Sequence, residues 1–223
     1  MIQIHGRSRL QRYTKLADWE YIQKVLNSQS DDIPKLPVIG NGDIFSYTDY
    51  LELVESREGL SKTAMLARGA LIKPWLPTEI KEKRHWDISA SERLEMLKEF
   101  VRFGLEHWGT DQKGINNTRR FLLEFLSFLY RYVPVGLLEV IPQHMNERPP
   151  KYMVRELSLL LIFCLWFNKI YGNFLRQCGR NDLETLMMSR NCADWIKISE
   201  MLLGPVPDGF EFQPKHKANG YRE

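Results

Sequence analysis

The chain has 223 residues, 43% of them hydrophobic and 26% charged, with a formal net charge of +3. That length holds one large domain or two small ones, and the balance is ordinary for a soluble globular protein. Three cysteines (Cys164, Cys178 and Cys192) with no C-x-x-C pair argue against a disulfide framework or a zinc site and suit a reducing compartment, the cytoplasm or the nucleus.

The first third alternates strand and helix. Ile2 and Ile4 flank Gln3 as a strand that runs at once into His5-Gly6-Arg7. The chain begins inside that strand, so an N-terminal portion is expected to precede it. Residues 1–17 carry Arg7, Arg9, Arg12 and Lys15 and no acid. Such a cluster is either a solvated rim or the footprint of a polyanion such as nucleic acid. Trp19, Ile22 and Leu26 at helical spacing predict a helix over 18–26. Val38-Ile39 is a short buried strand, followed by the loop Gly40-Asn41-Gly42-Asp43. Ser46 caps the next helix, with Asp49 at its third position and Leu51 and Val54 facing inward. A third strand ends at Ala67, and Arg68-Gly69 forms a strand-to-helix corner. The glycine there lets the backbone approach a ligand, and the helix start favours an anion. Ser61-Lys62-Thr63 is unusually polar for the approach of that strand.

Strands about 30 residues apart are βαβ units, which imply a parallel sheet. The loops at His5, at Asn41-Gly42-Asp43 and at Ala67-Arg68 then share its C-terminal edge, where α/β folds bind ligands. Each loop keeps a plainer reading. His5 is either a ligand-facing group or a half-buried histidine bonded to a carbonyl. Residues 41–43 are either part of a site or a turn chosen for positive φ, and Arg68-Gly69 is either a phosphate seat or a plain turn.

The rest reads as helix. Ser89 and Glu92 form a capping box before the stripe Leu94, Leu97, Val101 and Leu105, giving a helix over 90–107. Asn117 caps a second helix reaching about residue 132, apolar nearly all round over 121–129 and with Arg119 and Arg120 in its first turn. Basic residues there oppose the helix dipole, a cost that an anionic partner offsets. Residues 135–141 form a short helix, 153–176 a long apolar helix or pair, and 182–203 a helix broken near Asn191. Pro207, Gly209 and Pro214 mark a tail with Lys215-His216-Lys217 as a last basic cluster. The longest apolar run, residues 157–167, is 11 residues long. A membrane span needs about 20, so a buried helix is expected.

Ile4-His5-Gly6-Arg7-Ser8-Arg9, Val38-Ile39-Gly40-Asn41-Gly42-Asp43-Ile44 and Met65-Leu66-Ala67-Arg68-Gly69-Ala70-Leu71, in that order and spacing, resemble the tRNA-dihydrouridine synthase family. Thr118-Arg119-Arg120-Phe121, Tyr132-Val133-Pro134-Val135, Asn146-Glu147-Arg148-Pro149-Pro150 and Ala193-Asp194-Trp195-Ile196 resemble its eukaryotic branch acting on a uridine of the tRNA variable loop. The resemblance covers nearly the whole chain except 153–179. It implies an α/β domain followed by an all-α one: the C-terminal half of a (β/α)8 TIM barrel over 1–86, a helical tRNA-binding bundle over 87–204 and a tail over 205–223. It also implies FMN as cofactor, NADPH or NADH as reductant, tRNA as partner, a monomer, and neither metal nor membrane.

Carried over by position, the resemblance places His5 against the flavin ring, and Asn41, Gly42 and Asp43 along its ribityl and phosphate end. Ala67 and Arg68 then meet the phosphate, Arg7 the substrate, and Arg119 and Arg120 the tRNA backbone. The family's catalytic cysteine lies on an earlier barrel loop, and none of the three cysteines here sits in a matching motif, so no catalytic residue is assigned. The flavin-contacting lysine of an earlier strand is missing as well. A half barrel also leaves an unpaired strand edge, which is an aggregation liability. Residues 153–179 stand where the family has a shorter connection. They are expected to be an insertion of translated intron or a gene-model error, which a spliced transcript containing them would rule out. Two further readings stand beside the enzyme: a tRNA- and FMN-binding fragment that does not turn over, and an unrelated phosphate-binding barrel.

Overall fold

The computed structural model describes residues 1–11, 13, 15–30, 34–149 and 178–215. They divide into two compact units, Met1–Asp87 with Leu138–Glu147, and Ile88–Leu137 with Arg148 onward.

The first unit is built on three parallel strands in the order β1 (Ile2–His5), β2 (Val38–Asn41) and β3 (Ala64–Met65). The register sets Ile2 beside Val38, His5 beside Asn41, and Asn41 beside Met65. The three strands therefore end level, and all three following loops leave one edge. Helix α1 (Trp19–Asn27) starts where Asp18 accepts a hydrogen bond from the Tyr21 N–H at 2.8 Å. Its stripe Trp19, Ile22 and Leu26 packs with Val38, Ile44, Val54 and Leu60 as the unit's core. Helix α2 (Tyr47–Tyr50) has the expected capping box between Ser46 and Asp49 and continues as a wider π-helical turn, Leu51–Glu55, that buries Val54. Strand β3 stops at Met65, short of the expected end at Ala67, and residues 61–63 are not part of it. The Lys62 ammonium is held there by the carbonyls of Glu55 and Arg57 at 2.6 and 3.2 Å.

Helix α3 (Arg68–Ile72) begins at the third corner. Gly69 serves packing there. A Cβ on it would lie 2.3 Å from the Ile44 carbonyl oxygen, so the close approach is to the loop after β2. Helix α4 (Leu76–Glu82) follows and buries an ion pair. Lys73 Nζ meets Glu79 Oε2 at 2.5 Å and donates to the Phe45 carbonyl at 3.2 Å, while Glu79 Oε1 accepts from the Trp75 indole and the Trp86 N–H. Burial lowers the Lys73 pKa, and Glu79 works against that shift.

The second unit packs α5 (Ala90–Trp108), α6 (Gln112–Leu129), α7 (Asp182–Met188) and α8 (Cys192–Leu203) around Leu97, Leu122, Leu126, Trp195 and Ile198. Four details differ from expectation. Helix α6 starts at Gln112, because Asp111 accepts from the Gly114 N–H at 2.8 Å and caps it well before Asn117 is reached. Arg119 and Arg120 thus sit in its body. Phe121, expected in a buried run, is half exposed, because only the Leu122, Leu123 and Leu126 face turns inward. After Pro134 only a 3-10 turn forms, Val135–Leu137. Phe212, in the expected tail, is buried in the helical core. The break near Asn191 is real, and Asn191 caps α8. The expected helix over 153–176, with its proposed insertion, and the basic residues His216 and Lys217 lie outside the described residues. No helix among the described residues is long and apolar enough to cross a membrane.

A buried ionic contact joins α5 to α7. Glu184 takes the Arg180 backbone N–H at 2.7 Å and its guanidinium at 2.8–3.3 Å, and it meets Arg93 at 3.4 Å. Burial alone would raise the Glu184 pKa, but hydrogen bonds from Arg180 and the charges of both arginines outweigh it and hold the value below the ordinary one. The unfolded chain therefore takes up this proton at a higher pH than the folded one. The stabilisation is complete above pH 4.5 and is lost as pH falls through the folded value. Urea unfolding from neutral pH to below that value should show a larger acid loss in the wild type than in Glu184→Gln, whereas equal losses would remove Glu184 from the acid response.

Candidate functional site

The C-terminal ends of the three strands open into a cleft of about 500 Å³. His5, Arg7, Asn41, Gly42, Asp43, Ala67 and Arg68, from all three expected loops, line it together.

A polar row crosses the strand ends. His5 Nδ1 donates to Asn41 Oδ1 at 2.8 Å, and Asn41 Nδ2 donates to the Met65 carbonyl at 2.6 Å. Gln3 Nε2 lies 3.2 Å from His5 Nε2. A donor on that side places the ring proton on Nδ1. His5 is exposed, so the plain reading of a half-buried histidine on a carbonyl does not apply.

The second feature is a clamp around Asp43. Its carboxylate accepts the Arg7 guanidinium at 2.5 and 2.6 Å and the Ala17 N–H at 2.5 Å. Arg7 donates as well to the Lys15 carbonyl at 2.7 and 3.0 Å. The Asp18 N–H reaches the Gly6 carbonyl at 2.6 Å, and the Trp19 indole reaches Gly42 at 3.1 Å. The loop between β1 and α1 is thereby folded onto the loop after β2. Gly42 has φ of +132° and sits where a Cβ would lie 2.5 Å from that of Ala17, so it is required at this contact.

Arg68 completes the cationic end. Its guanidinium is 3.9 Å from Asp43 Oδ1, and its Cζ lies 3.9 Å from the centre of the Tyr13 ring. With Arg7, Arg9 and Arg68 against Asp43, the lining carries a positive excess suited to an anionic group.

One sequence expectation is sharpened and one needs correction. Arg7 and Asp43 both line the cleft and are paired with each other there. Arg119 does not face solvent. It is 3% exposed and donates to Ser199 Oγ at 2.9 Å and to the Leu203 and Gly204 carbonyls at 3.2 and 2.8 Å. A cation at the C-terminal end of α8 satisfies carbonyls that the helix leaves open and complements its dipole. Arg120, one residue on, is exposed. Both belong to the second unit and neither lines the cleft. Tyr13 and Met145 do line it and were not expected there. Tyr13 carried a weak signal, an aromatic set among arginines. Met145 carried none, being far away in sequence. Cys178 and Cys192 are buried in the second unit, and among the described residues no group of His, Cys, Asp and Glu could hold a metal.

Consecutive parallel strands with connecting helices and a polar cleft at their C-terminal ends define an α/β protein of the βα-repeat kind. The profile of the dihydrouridine synthase (Dus) family matches residues 1–127, and the chain belongs to that family. With membership comes the TIM-barrel fold. Relatives named tRNA-dihydrouridine(47) synthase NAD(P)(+)-like are 55% identical over 220 residues in Oryza sativa subsp. japonica and 54% identical over 222 residues in Homo sapiens. These matches cover 99% and 100% of this chain and 28% and 29% of the relatives. The tRNA-dihydrouridine(47) synthase of Cryptococcus neoformans is 51% identical, over 98% of this chain and 27% of its own length. The chain thus spans under a third of the relatives it matches.

Arg119 and Arg120 should separate cleanly in stability. Arg119→Ala leaves buried carbonyls unpaired and is expected to lower the unfolding free energy by about 2 kcal/mol or more, while Arg120→Ala should stay within about 0.5 kcal/mol of the wild type. Urea titration checks both, and equal small effects would contradict the assignment of Arg119.

Proposed function

We propose that this chain is the C-terminal portion of a flavin-dependent tRNA-dihydrouridine synthase that reduces a uridine of the tRNA variable loop. The observation that carries the reading is the cleft itself, where a hydrogen-bonding row at His5 and Asn41 lies across the strand ends from the cation of Arg68. Family membership and the names of the relatives support it. On this reading the three strands are the C-terminal half of a (β/α)8 barrel, and α5 to α8 form the helical domain that holds tRNA.

The residues fit FMN. A cleft of about 500 Å³ is of the size that takes cofactors. Arg68 supplies a guanidinium suited to a phosphate, with the start of α3 beside it. The Asp43 carboxylate would repel a phosphate if bare, but Arg7 and the Ala17 N–H already occupy it. His5 and Asn41 offer the edge of a polar row to a heteroaromatic ring, and Gly42 keeps the wall beside it low. When bound and reduced by NADPH or NADH, FMN supplies a hydride to the uracil ring. The uridine must leave its stack to be reached, and the exposure of Arg120 supports its contact with tRNA phosphates.

A second reading is favoured by one observation, that neither described cysteine lines the cleft and both are buried. This chain alone then binds FMN and tRNA without turnover, the proton donor coming from elsewhere in the full protein.

Flavin absorbance after incubation with FMN and desalting tests the reading. Retention close to one FMN per chain is expected, together with a tRNA complex whose salt slope falls by about one when Arg120 is replaced by Ala. Loss of all flavin on desalting would contradict the cofactor site, and an unchanged slope would contradict the role of Arg120.

A further inference from the structure

Tyr13 is 60% exposed, so burial in a core does not explain its position. Its ring lies over two guanidinium groups, 3.9 Å from Arg68 Cζ and 5.7 Å from Arg7 Cζ. Its backbone is tied down from far along the chain, because Asn146 Nδ2 donates to the Tyr13 carbonyl at 3.1 Å. Asn146 belongs to Leu138–Glu147, the segment that rejoins the first unit after residues 88–137. The neighbouring Met145 lines the cleft.

Asp43 and Tyr13 both draw the Arg68 guanidinium. Asp43 draws it by charge, yet the 3.9 Å separation exceeds hydrogen-bond range. Both Asp43 oxygens are already engaged by Arg7, one of them also by the Ala17 N–H. Tyr13 draws it through the ring face. A guanidinium stacked on an aromatic face keeps its N–H donors in its own plane, where they match the oxygens of a phosphate. Without the ring, Arg68 would turn toward Asp43, and its charge would be withdrawn from the cleft.

We infer that Tyr13 is a positioning residue for the anion end of this cleft, holding the Arg68 guanidinium by cation–π stacking on a backbone fixed by Asn146. The inference rests on the flavin reading above and adds to it the residue that sets recognition of the phosphate. It requires Tyr13 to act on the phosphate and not on the flavin ring, and this separates it from a structural role.

The test compares FMN with riboflavin, which has the same ring system and no phosphate, by quenching of flavin fluorescence in the full chain. Wild type should bind FMN more tightly than riboflavin. Tyr13→Phe keeps the ring face and should keep that preference. Tyr13→Leu keeps bulk without the face and, like Tyr13→Ala, should weaken FMN binding about fivefold while riboflavin binding stays unchanged. Asn146→Ala should shift FMN in the same direction by less. If Tyr13→Leu matches wild type, or if both flavins weaken equally, the positioning role is overturned and the flavin reading stands. If wild type does not prefer FMN, the phosphate seat fails, and the role of Tyr13 fails with it.

Discussion

Asp43 follows Gly42 with φ of +59°, a left-handed conformation that a short polar side chain tolerates. That backbone turn aims its carboxylate back across the first loop, where it collects the Arg7 guanidinium and the Ala17 N–H and lies near Arg68. One anion therefore orders a basic segment that would otherwise repel itself, since no other acid occurs among residues 1–17. The geometry of the cleft follows from this contact. With Arg7 paired in the wall, Arg9 and Arg68 line the cleft beside it, and the Tyr13 ring lies over Arg68.

Buried ionic contacts recur wherever irregular segments meet helices. Lys73 and Glu79 lock the turn after α3 to the carbonyl of Phe45, just beyond the Asp43 loop. Glu184 gathers Arg93 and Arg180, and Arg119 closes the end of α8. Such groups add little net stability over apolar packing, but removing one partner leaves a desolvated charge behind. Their effect is to fix one arrangement of the loops. A site assembled from three separate corners needs that fixity, because small displacements at each corner would add up across the cleft.

Much of the site was legible in the sequence because it depends on local grammar. Strand ends followed by His5, Asn41-Gly42-Asp43 and Ala67-Arg68 had to emerge at one edge once the strands were parallel, and the capping boxes at Ser46 and Ser89 are encoded within four residues each. What was not legible depends on side-chain direction. Adjacent arginines 119 and 120 look equivalent in a string, yet a helix turns by about 100° per residue, so one faces the core and the other solvent. Asn117 and Asp111 are both good caps, and it is Asp111 that accepts the Gly114 N–H at the helix start. Gly69 signalled a close approach, but the partner was the Ile44 carbonyl. Met145 reaches the cleft by a return of the chain that no local pattern encodes.

Hydrogen–deuterium exchange in Asp43→Asn tests the dependence of the cleft on this one carboxylate most directly. Asparagine accepts the positive φ and nearly the same volume, so the change removes charge with little strain. The Ala17 and Asp18 amides, which hydrogen-bond Asp43 and Gly6 in the folded loop, should exchange much faster in the variant, with α5 and α6 unaffected. Unchanged protection of those two amides would contradict the claim that Asp43 holds the first loop over the cleft.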